Sequence, residues 1–314
     1  MNTTFLYPGQ GAQDVGMGKD LCEKYPAARA IFEQAEKISA LPLMKLCFEG
    51  PKEELSRTDV AQPAIFTMSV AVSAAIAQKL GPQAATFVPT FTAGLSLGEY
   101  TALYAAGAMD FETGLKLVTQ RGRLMQQAAT LVPSGMVSVI GMDEPQAESL
   151  CLQASQGEVL VCANFNCPGQ IVLSGQIGAC RRAAEMAPAA GAKMAVPLDV
   201  AGAFHSSLMA TAAETFAQTL LDVPFKDPTC VVLSNVDARP YASAAEIPAK
   251  LLAQLVQPVR WQQCMEYLIA QGAGAFYEIG PGRVLAGLAK RIDRKLPITC
   301  VNAPDAVEQL TANA

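Results

Sequence analysis

The sequence predicts an α/β protein, a mainly parallel sheet with helices on both faces, interrupted by a smaller βαββαβ unit. Three observations predict it. Short apolar runs alternate with longer helical patterns over residues 4–132 and 199–302, as strands joined by crossover helices do. Over residues 133–198 the order changes to strand, helix, strand, strand, helix, strand, a self-contained set. The 314 residues are 51% hydrophobic, enough for one large and one small domain with a substantial core.

Residues 4–7 form the first apolar run, which stops at Pro8-Gly9-Gln10-Gly11-Ala12-Gln13. That loop lies at a strand's carboxyl end, where open α/β sheets bind ligands. It has neither of the glycine spacings of a phosphate cradle, so it is either a plain turn or a supplier of a backbone amide. Helical patterns follow over 27–38, 51–57 and 62–80. The most apolar of these, from Pro63 to Leu80, is interrupted by Thr67, Ser69, Ser73 and Gln78 and reads as a core helix, with no membrane span expected.

Residues 91–94 read as a buried strand, Gly94-Leu95-Ser96-Leu97-Gly98 as a G-x-S-x-G pentapeptide, and residues 99–106 as a small-residue helix. A serine at such a strand-to-helix turn is pushed out of the sheet as a nucleophile, and the next amide, that of Leu97, points at it from the helix start. The whole chain contains one histidine, His205. If an imidazole activates Ser96 it is this one, and a multi-histidine metal site is ruled out. His205 lies in a small-residue loop ahead of a helical pattern ending at Leu221, a usual place to present a catalytic group.

Asp110 is the expected N-cap of a helix over 111–129. Within it Gly122, next to Arg121, is expected to interrupt the helix, at about 1 kcal/mol against alanine. Either something approaches the backbone beside Arg121, or Arg121 lies on a solvated face. The smaller unit is expected as strands 136–142, 158–164, 170–174 and 193–198 with helices 144–153 and 177–190, the ferredoxin-like order. Beyond it come helix 206–221, strand 230–234, helices 246–256 and 261–271, strand 275–279, helix 284–292 and a strand near 298–302. Domains are expected at 1–132 with 199–314, and at 133–198, with the active site in the cleft between them.

A net charge of −5 and a pI near 5.1 argue against nucleic acid as a partner. Any acidic partner must meet a local basic patch, either Lys290, Arg291, Arg294 and Lys295 or Arg181, Arg182 and Lys193. Nine scattered cysteines without a C-x-x-C pair read as reduced, small apolar residues. No basic segment followed by an apolar run opens the chain, so no signal peptide is expected and the cytoplasm is the expected compartment.

Four motifs in register, Pro8 to Gln13, Gly94-Leu95-Ser96-Leu97-Gly98-Glu99-Tyr100, Gln120-Arg121-Gly122 and Gly202-Ala203-Phe204-His205-Ser206, make the chain resemble the malonyl-CoA:acyl carrier protein transacylases. Asn164-Phe165-Asn166, Pro168-Gly169-Gln170 and Glu278-Ile279-Gly280-Pro281-Gly282 extend the match over nearly the whole chain. The resemblance implies an α/β-hydrolase-like large domain with a ferredoxin-like insert. It implies Ser96 as the acylated nucleophile, His205 as its base, the amides of Gln10 and Leu97 as the oxyanion hole, and Arg121 as the ligand of the malonyl carboxylate. It further implies that the Gln254 main-chain carbonyl orients the histidine and that Phe204 bears on malonyl against methylmalonyl selection. Malonyl-CoA and an acidic acyl carrier protein are the implied partners of a monomer that needs no metal or bound cofactor and supplies fatty acid synthesis. Leu95 departs from the family pattern, which has a histidine there, and leaves room for a discrete acyltransferase acting in trans on a polyketide synthase. The other readings are a serine carboxyl-ester hydrolase and a carrier-binding module with an inactive elbow. A buried Arg121 speaks against the first, and Ser96 together with the only histidine against the second.

Overall fold

The computed structural model describes residues 2–311. Among the described residues nine strands, β1 (Thr3–Tyr7), β2 (Phe91–Gly94), β3 (Ser134–Ile140), β4 (Leu160–Cys167), β5 (Gln170–Gln176), β6 (Met194–Pro197), β7 (Val231–Val232), β8 (Ala275–Ile279) and β9 (Ile298–Val301), form two sheets. The first, in the order β7-β2-β1-β8-β9, is parallel throughout. Leu6, Ala93 and Phe276 bury one face and Phe5 and Tyr277 the other, as a sheet covered by helices on both sides requires. The second, in the order β4-β5-β3-β6, is antiparallel throughout, the order that the ferredoxin-like pattern demands.

Helix Thr58–Leu80 starts four residues before the expected 62, with Pro63 inside it. Proline disfavours a helix interior, but Thr58, Val60, Ala61 and Gln62 are all buried, and tertiary packing overrides the local cost. The stretch Thr58–Thr86 is long and apolar enough to cross a membrane, yet 83% of its most apolar window is buried inside the molecule, so it is packed as the expected core helix.

Helix Phe111–Ala129 has the expected ends, with Asp110 capping the Thr113 amide at 2.8 Å. Gly122 does not interrupt it. A Cβ there would lie 2.7 Å from the Thr58 carbonyl oxygen, so the glycine admits the start of helix Thr58–Leu80 beside Arg121. Elsewhere elements shorten. The expected strand 230–234 is only β7, because beyond the Leu233 amide, which still bonds Thr92 of β2, Ser234 turns away to bond Arg239, and helix Ile177–Met186 ends before Pro188. β4 reaches Cys167, bulged twice, and its Phe165 amide bonds the Val259 carbonyl at 2.9 Å, tying the small unit to the large one. All nine cysteines are free and seven are buried, as small apolar residues are.

Candidate active site

β1 and β2 end side by side, with Tyr7 opposite Gly94, and the chain must turn from Gly94 into helix Gly98–Ala105 without leaving the sheet edge. Only glycine allows this. A Cβ on Gly94 would lie 1.9 Å from the Gly98 carbonyl carbon, one on Gly98 would lie 2.1 Å from the Tyr7 oxygen, and one on Gly9 would lie 2.3 Å from the Leu95 oxygen. Ser96 at the apex has φ 51°, in the left-handed region that β-carbon sterics disfavour. Asn235 holds it there, accepting from the Ser96 amide at 2.7 Å and donating to the Gly94 carbonyl at 2.8 Å.

The one histidine reaches the one elbow serine. His205 Nε2 lies 2.8 Å from Ser96 Oγ, and His205 Nδ1 lies 2.6 Å from the Gln254 main-chain oxygen. A carbonyl only accepts, so Nδ1 carries the ring proton and Nε2 presents its lone pair to the serine hydroxyl. His205 also has a positive φ, 57°, and the Ser174 hydroxyl steadies its loop by donating to the Phe204 carbonyl at 2.6 Å. Burial, reinforced by the nearby Arg121 charge, pushes the imidazole down to about 4, against the opposing bond to Gln254. The ring is therefore neutral at neutral pH and able to take a proton.

Arg121 is not on a solvated face: it is 1% exposed. One Nη2 donates to Ser96 Oγ at 3.1 Å and to Gln254 Oε1 at 2.9 Å, Nη1 donates to Gln62 Oε1 at 2.7 Å, and the guanidinium stacks over the Tyr100 ring at 5.4 Å. Its neighbours are amide oxygens and a hydroxyl, and among the described residues no carboxylate pairs with it. A buried cation with no directly paired carboxylate is costly: desolvation works against its charge, and Tyr100 and the Glu99 carboxyl beyond Gln254 only partly offset it.

The amides of Gln10 and Leu97 flank the elbow, one on the loop whose Gly9 touches Leu95 and the other at the start of helix Gly98–Ala105; neither has a protein acceptor among the described residues. The Gln10 side chain turns away to Thr58 Oγ1. Phe204 is buried beside His205, and Leu95 is half-buried on the elbow.

The sequence assigns no role to four residues of this cluster, although Glu99 stands inside the motif Gly94 to Tyr100. Gln62 and Tyr241 sit in unremarkable stretches, and Asn235 follows a strand end. Glu99 comes directly after G-x-S-x-G, where an acidic residue in a helix's first turn reads as an ordinary dipole partner. The one available signal was its company, since Gly98, Tyr100, Ala102 and Leu103 leave that helix no polar face.

Among the basic groups, Arg182 is engaged structurally. It pairs with Glu158 at 2.6 Å and caps the Ala154 and Ser155 carbonyls, which leaves Arg181 and Lys193 as the exposed members of the small unit's cluster. Arg291 donates to Gln170, while Lys290, Arg294 and Lys295 are exposed.

Residues 4–301 match the family model of the acyl transferase domain. A malonyl CoA-acyl carrier protein transacylase of Bacillus subtilis is 43% identical over 97% of this chain and 94% of its own. The solved structure of the malonyl CoA-acyl carrier protein transacylase of Coxiella burnetii superposes with a TM-score of 0.93 at 38% identity, covering 98% of this chain and 96% of that one. A malonyl-transacylase solved in complex with its type II polyketide synthase acyl-carrier protein gives 0.93 at 39% identity, with both chains fully covered. With this fold, this match and these relatives, the chain belongs to the malonyl CoA-acyl carrier protein transacylase family.

Proposed function

We propose that this chain transfers a malonyl group from malonyl-CoA to the phosphopantetheine thiol of an acyl carrier protein through a malonyl-Ser96 intermediate, supplying fatty acid synthesis. The observation that carries the reading is Arg121, a buried guanidinium without a carboxylate partner, one of whose nitrogens already touches the nucleophile. A carboxylate on the bound acyl group supplies the direct partner that Arg121 lacks, and the guanidinium fork matches its two oxygens.

In the first half-reaction the Ser96 hydroxyl gives its proton to His205 Nε2 as Oγ bonds the thioester carbonyl carbon. The amides of Gln10 and Leu97 receive the carbonyl oxygen as it gains charge. The C–S bond then breaks and His205 returns the proton to the CoA sulfur. In the second half-reaction the carrier thiol gives its proton to His205, its sulfur attacks the malonyl ester carbon, and Ser96 leaves with the proton. His205 acts with the Gln254 carbonyl in place of an acidic third member. Every step uses groups of this chain and its two substrates. Phe204, beside His205, is proposed to bear on the choice between malonyl and methylmalonyl. The same reading takes residues 1–132 with 199–314 as the catalytic domain and 133–198 as the insert, in a monomer working in the cytoplasm.

Incubation with malonyl-CoA alone should add one malonyl mass to the peptide containing Ser96, and Ser96→Ala should take up none. Label on a cysteine peptide, or equal labelling by acetyl-CoA and malonyl-CoA, overturns the assignment. The 39% identity to a polyketide-associated transacylase favours one second reading, action in trans on a polyketide synthase. Transfer rates to the two kinds of carrier protein separate it from the first.

A further inference from the structure

Glu99 is fully buried, touches neither Ser96 Oγ nor His205, and has no part in the steps above. Its carboxylate nevertheless collects three donors. The Tyr241 hydroxyl donates to Oε1, while the Gln254 side-chain amide and the Asn235 amide donate to Oε2. Two of those donors brace the nucleophile. Asn235 holds the Ser96 amide, and Gln254 Nε2 also donates to the Ser96 carbonyl at 3.0 Å.

Gln254 uses every polar group it has. Its main-chain oxygen accepts a hydrogen bond from His205 Nδ1, its Nε2 faces two acceptors, and its Oε1 accepts from Arg121. Turned over, the same amide would set its NH2 against the guanidinium, donor to donor, and its oxygen against Glu99 and the Ser96 carbonyl, acceptor to acceptor. A side-chain amide is nearly symmetric in shape, so hydrogen-bond partners decide which way round it sits. Of those partners Glu99 is the one that only accepts and carries charge.

We propose that Glu99 is a positioning residue: its carboxylate holds the Gln254 amide in one orientation, and that amide holds Arg121 beside Ser96 for a carboxylated acyl group. The inference rests on the malonyl-transfer reading and extends it to a residue remote from the acyl chain. Burial outweighs the pull of Tyr241, Gln254, Asn235 and Arg121 and leaves the Glu99 carboxyl raised to about 7. Three donors on two oxygens suit the ionised form, which accepts from all of them.

The test compares kcat/KM for malonyl-CoA and acetyl-CoA in the first half-reaction. Glu99→Met keeps the volume and removes the acceptor. It should lower the malonyl-to-acetyl ratio by about ten- to a hundredfold, the scale of a hydrogen bond to a charged group, mainly through KM for malonyl-CoA. Glu99→Gln should recover most of the ratio, because the Tyr241 hydroxyl can turn to accept from the new NH2 and leave the oxygen facing Gln254. Gln254→Met, which keeps the main-chain carbonyl, should show the same loss, and it tests the proposal should Glu99→Met not fold. The double variant should be no worse in ratio than either single one, since both act through one amide. Equal losses for both acyl groups, additive losses in the double variant, or a loss in Glu99→Gln as large as in Glu99→Met overturn the proposal. Malonyl labelling of Ser96 in the parent enzyme is read separately, so failure of the transfer reading is distinct from failure of this one.

Discussion

The two sheets of this protein differ in what covers them, and with that in what they can carry. The parallel sheet is covered on both faces, and beside its strand ends Ser96, Glu99, Arg121, Asn235, Tyr241, Gln254 and His205 meet in one nearly dry cluster. The antiparallel sheet packs its core against helices Glu144–Ser155 and Ile177–Met186 and leaves edge strand β6 open, with Met194 53% exposed. It sends two hydroxyls, those of Ser174 and Ser134, to the loop of His205. A buried cation and a buried base hold their states only where water is excluded, so the reactive polar groups collect at the first sheet.

The largest expected break of this asymmetry is chemical. His205→Ala should lower the rate of malonyl-Ser96 formation about a thousandfold or more, since no other imidazole exists to replace it, whereas Ser174→Ala, one contact removed in the small unit, should cost far less. Single-turnover labelling measures both. Losses of similar size would make the insert a partner in the chemistry and end the comparison.

Stability offers the next break. Gly94→Ala puts a Cβ 1.9 Å from backbone, which cannot give way, and should destabilise by more than about 4 kcal/mol. Gly135→Ala in β3 meets nothing nearer than a side-chain methyl of Ile177 at 3.4 Å and should change stability by less than about 1 kcal/mol. Urea unfolding of the two variants gives the contrast directly, and a Gly94→Ala protein as stable as its parent would show that the elbow can relax.

Burial also sets the pH response. The base must be neutral to accept the serine proton, and its pKa is held down near 4, so in Glu99→Gln, which removes the Glu99 titration near 7, kcat/KM for malonyl-CoA should stay flat as pH falls from 7 to 6 and lose half its value only near pH 4. In stability the sign runs the same way. Keeping His205 neutral costs nothing above the ordinary histidine pKa of 6.5 and opposes folding increasingly as pH falls from there to about 4. An acid limb centred near 6.5 would mean that the imidazole is wetter than its 4% exposure indicates.

The smallest effect belongs to the surface. Arg181→Glu with Lys193→Glu, or Lys290→Glu with Lys295→Glu, should slow transfer to an acidic carrier protein a few-fold at low salt, less at high salt, and leave the CoA half-reaction unchanged. Unchanged carrier transfer in both pairs would show that the carrier approaches elsewhere.

Local chemistry was legible in the sequence. The elbow at Ser96 follows from glycines at 94 and 98, each of which meets backbone within a few residues or on the neighbouring strand, and the cap at Asp110 from a side chain three residues from its donor. The order of strands and helices carried the parallel sheet and the antiparallel unit, and a chain with one histidine left one candidate base. What the tertiary structure decided lies between residues far apart in sequence. Arg121 meets Gln62 across 59 positions and Gln254 across 133, and Glu99 meets Tyr241 across 142. No local pattern separates a buried glutamine that holds an arginine from an exposed one, because side-chain type records what a group can bond and not what is packed against it. Gly122 shows both sides: its small size was legible as an invitation to close approach, but that the visitor is the start of helix Thr58–Leu80 depended on how two helices pack.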